Sequence, residues 1–357
     1  MPAPARRAIA SPLARPPVRP FAVALALAGL ATAPVGCGGN QQVRDGRSTN
    51  PAATSGPRQP GVALQPGDPL IAQGGRALRD GDKDGALRAF ERAIEINPTL
   101  TVAFVEAGKI HFERGDFDLA EQRARDATEL APRSFDAQFL HGQALEALRR
   151  FAEAVRAYLR ALAVRPNDLE ANARLASTYL QLGEPREAQR FAIRAVRLDP
   201  QNGPARATLA AVYARLGQHD AAVDEFQQAA ELMELTPGLL IGLADSLSRV
   251  GRHQEALATL DQSLRLDSSP AVNERIGAAR FRMRDYEGAE RAFRDALDID
   301  ANHFPALNGL AVCLLNRYIW SEELDRTSRD EALETLRRSL QIEPNQPRIL
   351  ELVRQFS

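Results

Sequence analysis

One short acidic segment of this sequence has residue types and spacing that could bind a metal ion. Asp80, Asp82, Asp84 and Glu91, with Gly85 between them, match the pattern D-x-D-x-D-G-x5-E, whose carboxylate oxygens surround a calcium ion. The apolar residues that follow recur at helical spacing and predict a helix from about residue 84. Such a helix would carry Glu91 away from the other carboxylates. We therefore predict a charged turn without metal, with a calcium-responsive module as the alternative.

The rest of the sequence offers no pattern that predicts catalysis. The histidines are scattered without the spacing of metal ligands: His111, His141, His219, His253 and His303. Two cysteines, Cys37 and Cys313, are too few for a disulfide framework or a zinc knuckle, and we expect Cys313 to be a small buried hydrophobic residue. Motifs for a serine nucleophile, a metalloprotease or a phosphate loop are absent. We predict a protein that is not an enzyme and has no metal, cofactor or small-molecule substrate.

The charge of the chain is close to balanced. Lys and Arg number 45 against 46 Asp and Glu, which gives a net charge of −1 at pH 7. Proteins that bind nucleic acid through its phosphates carry an excess of basic residues. We therefore predict no nucleic-acid partner.

The first 36 residues have the anatomy of a secretion signal. Four arginines precede an apolar run over residues 21–33, and small residues follow. With Gly36 before Cys37, the segment resembles a bacterial lipoprotein precursor, and the resemblance implies that Cys37 carries the lipid. A plain cleaved signal, an uncleaved anchor and an organelle transit peptide are the alternatives. We predict a lipid-anchored protein of the bacterial cell envelope that faces the periplasm, or the exterior if it is exposed at the cell surface.

A low-complexity segment over residues 37–66 follows the signal. It is rich in Gly, Gln, Asn, Ser, Thr and Pro and shows no apolar periodicity. Such a composition cannot bury enough apolar surface to fold by itself. We predict a disordered tether with a reach of about 30 Å between the membrane and the folded part.

A 34-residue period runs through the remaining sequence. Alanine recurs once in each unit, at Ala86, Ala120, Ala154, Ala188, Ala222, Ala256, Ala289 and Ala332. Glycine marks the middle of units at Gly81, Gly115, Gly183, Gly217 and Gly251, and proline closes units at Pro98, Pro132, Pro166, Pro200 and Pro344. Alanines let two helices approach closely, glycine makes a turn, and proline ends a helix. Each unit therefore predicts one helix–turn–helix.

These ladders resemble the tetratricopeptide repeat (TPR) family over residues 67–346. The resemblance implies an all-α fold, a right-handed superhelical α-solenoid of eight helix–turn–helix units with a C-terminal capping helix over residues 347–357. The units are 67–100, 101–134, 135–168, 169–202, 203–236, 237–269, 270–303 and 304–346. Polar residues replace the large aromatic that the family favours early in the first helix, at Gln138, Asn172, Arg206 and Asn273. We expect weaker helix contacts at those four positions.

The family resemblance also implies where a partner binds. With about 100° of rotation per residue, positions 2, 5, 9, 12 and 13 of each unit point away from the hairpin partner, and in this family they line the concave groove. The predicted groove residues are Val105, Lys109, Phe112, Phe139, Gln143, Glu146, Leu180, Arg215, Ile241, Arg249, Glu274, Phe281, Arg282, Asn308 and Asn316. Apolar residues among arginines suit a peptide or helix ligand with carboxylates. The alternative for each apolar residue is packing between neighbouring first helices.

The eighth unit contains nine extra residues between its helices, within residues 318–330. Insertions in repeat arrays often form binding loops. We favour instead a plug, in which Tyr318 and Trp320 fold back over the end of the array.

The sequence as a whole predicts a non-catalytic scaffold or adaptor that binds other proteins and is tethered to a membrane, with envelope or pilus assembly as the expected process. The alternative is an accessory or regulatory subunit of a cell-wall or glycan-modifying enzyme. Both functions depend on recognition of proteins by the groove.

Overall fold

The computed structural model describes residues 67–357. The predicted signal (1–36), Cys37 and the tether (37–66) lie outside the described residues. Within residues 67–357 the chain forms seventeen α-helices and no β-strand, so the predicted all-α fold class is confirmed.

The helices alternate with short turns along the whole described segment. They are α1 (Asp68–Arg79), α2 (Lys83–Ile96), α3 (Thr101–Arg114), α4 (Phe117–Leu130), α5 (Phe135–Ala147), α6 (Phe151–Val164), α7 (Leu169–Gln181), α8 (Pro185–Leu198), α9 (Gly203–Arg215), α10 (His219–Leu232), α11 (Pro237–Arg249), α12 (His253–Leu266), α13 (Pro270–Arg282), α14 (Tyr286–Ile299), α15 (Phe304–Trp320), α16 (Arg326–Ile342) and α17 (Pro347–Phe356). Odd-numbered helices up to α15 are the first helices of repeats, and even-numbered helices are the second helices.

The turn inside a repeat uses a left-handed backbone conformation. Gly115 and Gly183 have φ angles of 83° and 78°, as the glycine ladder predicts. Three repeats lack this glycine. Arg149 and Arg284 adopt φ angles of 60° and 65° in two of them, and Glu322 and Glu323 adopt φ angles of 53° and 66° in the last. A left-handed conformation costs an L-residue about 1–2 kcal/mol, so these two arginines are held in place by the helices on either side.

The described chain forms two compact units, residues 67–252 and residues 253–357. Within each unit, consecutive helices pack against one another in sequence order. All eight ladder alanines have 0% exposed surface, since each lies where two helices meet. A side chain would not fit at Gly142, where an added Cβ would lie 2.6 Å from the Tyr158 ring.

Polar residues early in the first helices connect consecutive repeats by hydrogen bonds. Gln138 donates from Nε2 to the Pro132 carbonyl (3.1 Å), and Asn172 donates from Nδ2 to the Pro166 carbonyl (3.1 Å). Arg206 donates in the same way to the proline that closes the preceding repeat. That proline follows the end of a helix, so its carbonyl lacks a helical partner. At these three positions a hydrogen bond stands in place of the aromatic contact, while the expectation of weaker helix contacts stays a prediction.

The extra residues of the last repeat lengthen both helices instead of forming a long loop. α15 and α16 each contain 17 residues, and residues 321–325 connect them. Tyr318 is 8% exposed and its ring lies 6.4 Å from that of Phe356 in α17, as the plug predicts. Trp320 is 67% exposed, so that part of the prediction is wrong. α15 continues through both residues, and two helical steps place Trp320 on the opposite side from Tyr318.

Candidate functional site

First helices line the inner side of the unit formed by residues 67–252. α3 contacts α5, α7 contacts α9, and α9 contacts α11, whereas α1 and α3, α5 and α7, and all consecutive second helices of this unit contact one another more weakly or not at all. Stacked elements are closest on the inside of a bend. The exposed and half-exposed residues of α3, α5, α7 and α9 therefore form what we call the inner face.

Aromatic side chains form the N-terminal part of the inner face. Phe139 is half-buried, with its ring stacked 5.4 Å from Phe135 and tilted 5.7 Å from Tyr158. Phe112 is also half-buried and lies 5.4 Å from Phe117. Each ring thus keeps part of its surface free while neighbouring rings fix its orientation.

A fixed group of charges borders these aromatics. The Tyr158 hydroxyl donates to Glu146 (2.6 Å), Arg174 lies 3.5 Å from the same carboxylate, and Arg174 also donates to Glu170 (2.9 Å). Burial raises the pKa of Tyr158 well above its ordinary value and Glu146 adds to the effect, so this hydroxyl stays protonated and remains a donor. Burial lowers the pKa of Arg174, but Tyr158 and Glu146 outweigh it and raise the pKa overall.

Small side chains create a depression over the fourth and fifth repeats. Positions 5, 9 and 12 of α7 and α9 hold small residues with one exception, and all are half-exposed: Ala173, Ser177, Leu180, Ala207, Ala211 and Ala214. The same positions of α5 hold the larger Phe139, Gln143 and Glu146. This small-residue depression, with Leu180 at its edge, can receive large apolar side chains of a partner. Sequence reasoning missed it because it searched the groove positions for large residues; the shrinking side chains at three fixed positions were the available signal.

The predicted groove residues fall into two groups. Nine are exposed or half-exposed and stay predictions for partner contact: Lys109, Phe112, Phe139, Gln143, Glu146, Leu180, Arg215, Arg249 and Arg282. Six are at most 7% exposed, which removes them from the surface a partner could contact: Val105, Ile241, Glu274, Phe281, Asn308 and Asn316. Neighbouring helices cover them. Asn308, for example, donates to Gln346 (2.7 Å), the residue that precedes α17.

The fifteen residues are also divided between the two compact units. The first ten, up to Arg249, belong to residues 67–252, and the last five, from Glu274 onwards, belong to residues 253–357. The candidate site is therefore the inner face of the first unit.

The acidic string at residues 80–91 does not form a calcium loop. α2 begins at Lys83, Asp82 accepts a hydrogen bond from the backbone N–H of Gly85 (2.7 Å), and Asp84 pairs with an arginine of α3. Glu91 accepts two hydrogen bonds from Arg123 (2.9 and 2.8 Å). The helix separates the carboxylates, as the repeat register predicts.

A buried carboxylate connects the second and third repeats. Glu121 is 4% exposed and lies 3.4 Å from His141 and 3.3 Å from Arg150, with Arg125 paired to its other oxygen. Burial raises the pKa of Glu121, but these partners, Arg125 first, lower it overall. Burial lowers the pKa of His141 despite the carboxylate. Every group in this cluster has a partner in the cluster, so we assign it a structural role.

Two searches of residues 67–357 complete the description of the site. Among these residues, histidine, cysteine and carboxylate side chains nowhere gather in a group of three or more that could hold a metal ion. The described helices also include none with the length and apolar character needed to cross a bilayer.

Three family models, each described as Tetratricopeptide repeat, match the sequence. Their matches cover residues 105–169 and 241–303, residues 204–269, and residues 142–213, so together they extend from residue 105 to residue 303. One curated relative is the small glutamine-rich tetratricopeptide repeat-containing protein 2 of Mycosarcoma maydis, 31% identical over 119 residues. The match covers 33% of this chain and 34% of that protein, so the chain spans about a third of the length of this relative.

Solved structures share the fold at low sequence identity. The Cut9–Hcn1 hetero-tetramer of the APC/C matches with a TM-score of 0.57 and 18% identity, over 81% of this chain and 55% of that chain. A tetratricopeptide repeat protein from Parabacteroides merdae matches with a TM-score of 0.51 and 18% identity, over 70% of this chain and 100% of that chain. The pilF protein of Pseudomonas aeruginosa matches with a TM-score of 0.51 and 19% identity, over 58% of this chain and 95% of that chain. At this identity the likeness establishes the fold and not the ligand.

Proposed function

Because the chain belongs to the tetratricopeptide repeat family, whose fold serves as a scaffold for protein–protein interactions, we propose that it binds a helix or peptide of a partner protein on its inner face. Large apolar side chains of the partner enter the small-residue depression. The rims of the same face supply polar contacts. The protein acts by bringing partners together and carries out no chemistry itself.

The depression is the observation that supports this proposal. Ala207 and Ala211 are half-exposed on α9, two repeats after the larger side chains of the third repeat. A run of small side chains next to a half-buried aromatic such as Phe139 leaves room for the apolar side chains that anchor a helix in a groove. Charged groups at its border, Arg174 and Glu146, are already held by their neighbours, so they lose little side-chain entropy when a partner binds.

We further propose that the scaffold is anchored by a lipid at Cys37 to a membrane of a bacterial envelope and faces the periplasm or the exterior. The arrangement of residues 1–37 supports this: arginines, a short apolar run, and a small residue before a cysteine. A tether of residues 37–66 would hold the repeats about 30 Å from the membrane. Envelope or pilus assembly is the process that we propose for such an anchored scaffold.

Filling the depression tests the proposed binding site. Ala211→Trp would occupy it from within, whereas Gln228→Trp adds the same side chain to the exposed surface of the second helix α10. Proteins cross-linked to each variant in cells of the source organism would be identified by mass spectrometry. We expect specific partners of the wild type to be lost with Ala211→Trp and kept with Gln228→Trp. Partners kept equally by both variants, at equal thermal stability, would place recognition elsewhere.

The nature of the partners distinguishes the scaffold from the accessory subunit. Structural envelope proteins among the partners lost with Ala211→Trp support the scaffold. A cell-wall hydrolase or glycosyltransferase as the single lost partner supports the alternative, a regulatory subunit of that enzyme.

A further inference from the structure

A row of arginines lies on the outer side of the fourth repeat. Arg186, Arg190, Arg194 and Arg197 are all exposed on α8, the second helix of this repeat. Their spacing of four, four and three residues places them on one face of the helix. We call these four residues the arginine row.

The arginine row borders an open cleft of about 390 Å³. The cleft is lined by Asn167, Arg190, Ile193, Arg194, Arg197 and Leu198. Arg194 donates to the side-chain oxygen of Asn167 (3.0 Å), which joins the helix to the turn before the repeat. Ile193 and Leu198 provide the apolar part of the lining. The cleft therefore combines three guanidinium groups with two apolar side chains.

Residues 67–357 are acidic overall, and the second helix on one side of the row is acidic as well. Residues 1–66 carry seven arginines and one aspartate, so the net charge of −1 for the whole chain becomes −7 for residues 67–357. α8 alone carries four arginines and one glutamate. Positions equivalent to the arginine row are acidic in the next second helix, α10, at Asp220, Asp224 and Glu231. They are acidic at three positions of α4 as well, at Asp118, Asp126 and Glu129, while α6, which lies between α4 and α8, holds Arg156 and Arg160.

The guanidinium groups are weakly engaged within the chain. Among residues 67–357, Arg186 and Arg197 form no ion pair. Arg190 lies 3.4 Å from Glu187, and its guanidinium group lies 4.6 Å from the centre of the Phe191 ring, but the side chains of Arg190 and Glu187 are more than half exposed, at 64% and 54%. Exposed pairs of this kind contribute little and exchange readily for a better anion.

We propose that the arginine row and its cleft bind a short acidic segment of a partner protein, independently of the inner face. Carboxylates of the segment pair with Arg190, Arg194 and Arg197, and guanidinium groups bind carboxylates with two parallel hydrogen bonds. One apolar side chain of the segment covers Ile193 and Leu198. The ligand is thus recognised by clustered carboxylates next to an apolar residue.

The borders of the row favour a short peptide over an extended polyanion. The neighbouring second helices lie about 10 Å away, which is close to the screening length of about 8–10 Å at physiological salt. On the side of α10, the carboxylates of that helix would repel a nucleic acid or an anionic bilayer that extended past the row, whereas Arg156 and Arg160 of α6 on the other side would not. The apolar side chains of the cleft, Ile193 and Leu198, would also make no favourable contact with a free phosphate ion.

Charge reversal with a matched control tests the proposal. Arg190→Glu with Arg194→Glu alters the row, and Arg88→Glu with Arg92→Glu makes the same charge change at the equivalent, exposed positions of α2. Binding of the full chain to a fluorescein-labelled peptide of glutamates around a central leucine would be measured by fluorescence anisotropy. The arginines of residues 1–66 are common to all variants, so they do not affect the comparison.

We expect the row variant to bind the peptide at least about tenfold more weakly than the wild type and the control to differ by less than about threefold. A peptide with glutamines in place of the glutamates should not bind. Equal losses in both variants would show a mere effect of net charge and overturn the proposal. The proposal would also be overturned if binding of phosphatidylglycerol vesicles or of an oligonucleotide depended on the arginine row while binding of the peptide did not. Because Ala211→Trp leaves α8 intact, failure of the inner-face proposal would not affect this result.

Discussion

The hydrogen bonds between consecutive repeats lead to a quantitative prediction at Asn172. This residue is 1% exposed and donates to the carbonyls of Pro166 (3.1 Å) and Asp168 (2.6 Å). Asn172→Ala removes both bonds, each with a net contribution of about 1 kcal/mol. Two effects reduce the expected loss of stability. The Asp168 carbonyl keeps a hydrogen bond from the backbone N–H of residue 172, and the side-chain oxygen of Asn172 has no hydrogen-bond partner to lose. We expect the free energy of unfolding to fall by about 1–2 kcal/mol.

A second substitution separates the hydrogen bond from simple loss of packing. Asn172→Asp preserves the shape but places carboxylate oxygens against the two carbonyls at neutral pH. Burial raises the pKa of such a carboxyl, so the variant approaches wild-type stability below the unfolded-state value of about 4 and loses stability as the pH rises. Asn172→Asp should therefore be less stable than Asn172→Ala at pH 7. At pH 4 the difference in stability between the two variants should become smaller or change sign.

Urea unfolding followed by circular dichroism measures these differences, each relative to wild type at the same pH. Gln181→Ala, at the exposed end of the same helix, is the control and should change the midpoint little. Equal losses for Asn172→Ala and Gln181→Ala would refute the reasoning, as would a pH-independent difference between the two Asn172 variants. Because repeat arrays can unfold in stages, the comparison uses midpoints of the same transition.

Further predictions concern other parts of the molecule. Arg149→Gly should raise the free energy of unfolding by about 0.5–1 kcal/mol, and with it the urea midpoint, since glycine accepts the φ angle of 60° without strain. An unchanged or lower midpoint contradicts this. Burial lowers the pKa of His141, so its contribution to stability is lost as the pH falls below the unfolded value of about 6.5; His141→Gln should lose less stability than wild type between pH 7 and 5 in the same assay. Cys37→Ser should abolish palmitate labelling in cells, and persistent labelling would exclude the proposed anchor. Millimolar calcium should leave the melting temperature unchanged, because Asp84 and Glu91 are paired with arginines; a rise would restore the calcium hypothesis.

The ladders of small residues were sufficient to predict the helices and their turns. Ala120 and Ala154 have no exposed surface, because only a small side chain fits where the helices meet, and Gly115 has the left-handed conformation that glycine adopts without strain. Arg149 was unpredictable from the same rule. Its conformation follows from the packing of helices on both sides, which overrides the local preference of the residue.

The candidate site was harder to predict from the sequence than the fold. Helical angles correctly placed Lys109 and Phe139 at the surface, but they could not show that Val105 and Asn308 would be covered. Burial of those two residues depends on contacts with neighbouring helices, and no angle within one helix contains that information. The hydrogen bond from Gln138 to the preceding repeat was missed for the same reason.

Trp320 is an intrinsic fluorescent probe of the last repeat. It is the single tryptophan of the chain, it is 67% exposed, and its indole N–H donates to Asn316 one turn earlier in α15 (3.2 Å). Its emission therefore responds when the last turn of α15 frays, while ellipticity sums the signal of every helix. Fluorescence that changes at lower urea than ellipticity would reveal that the C-terminal repeat opens before the others, without any label or added probe.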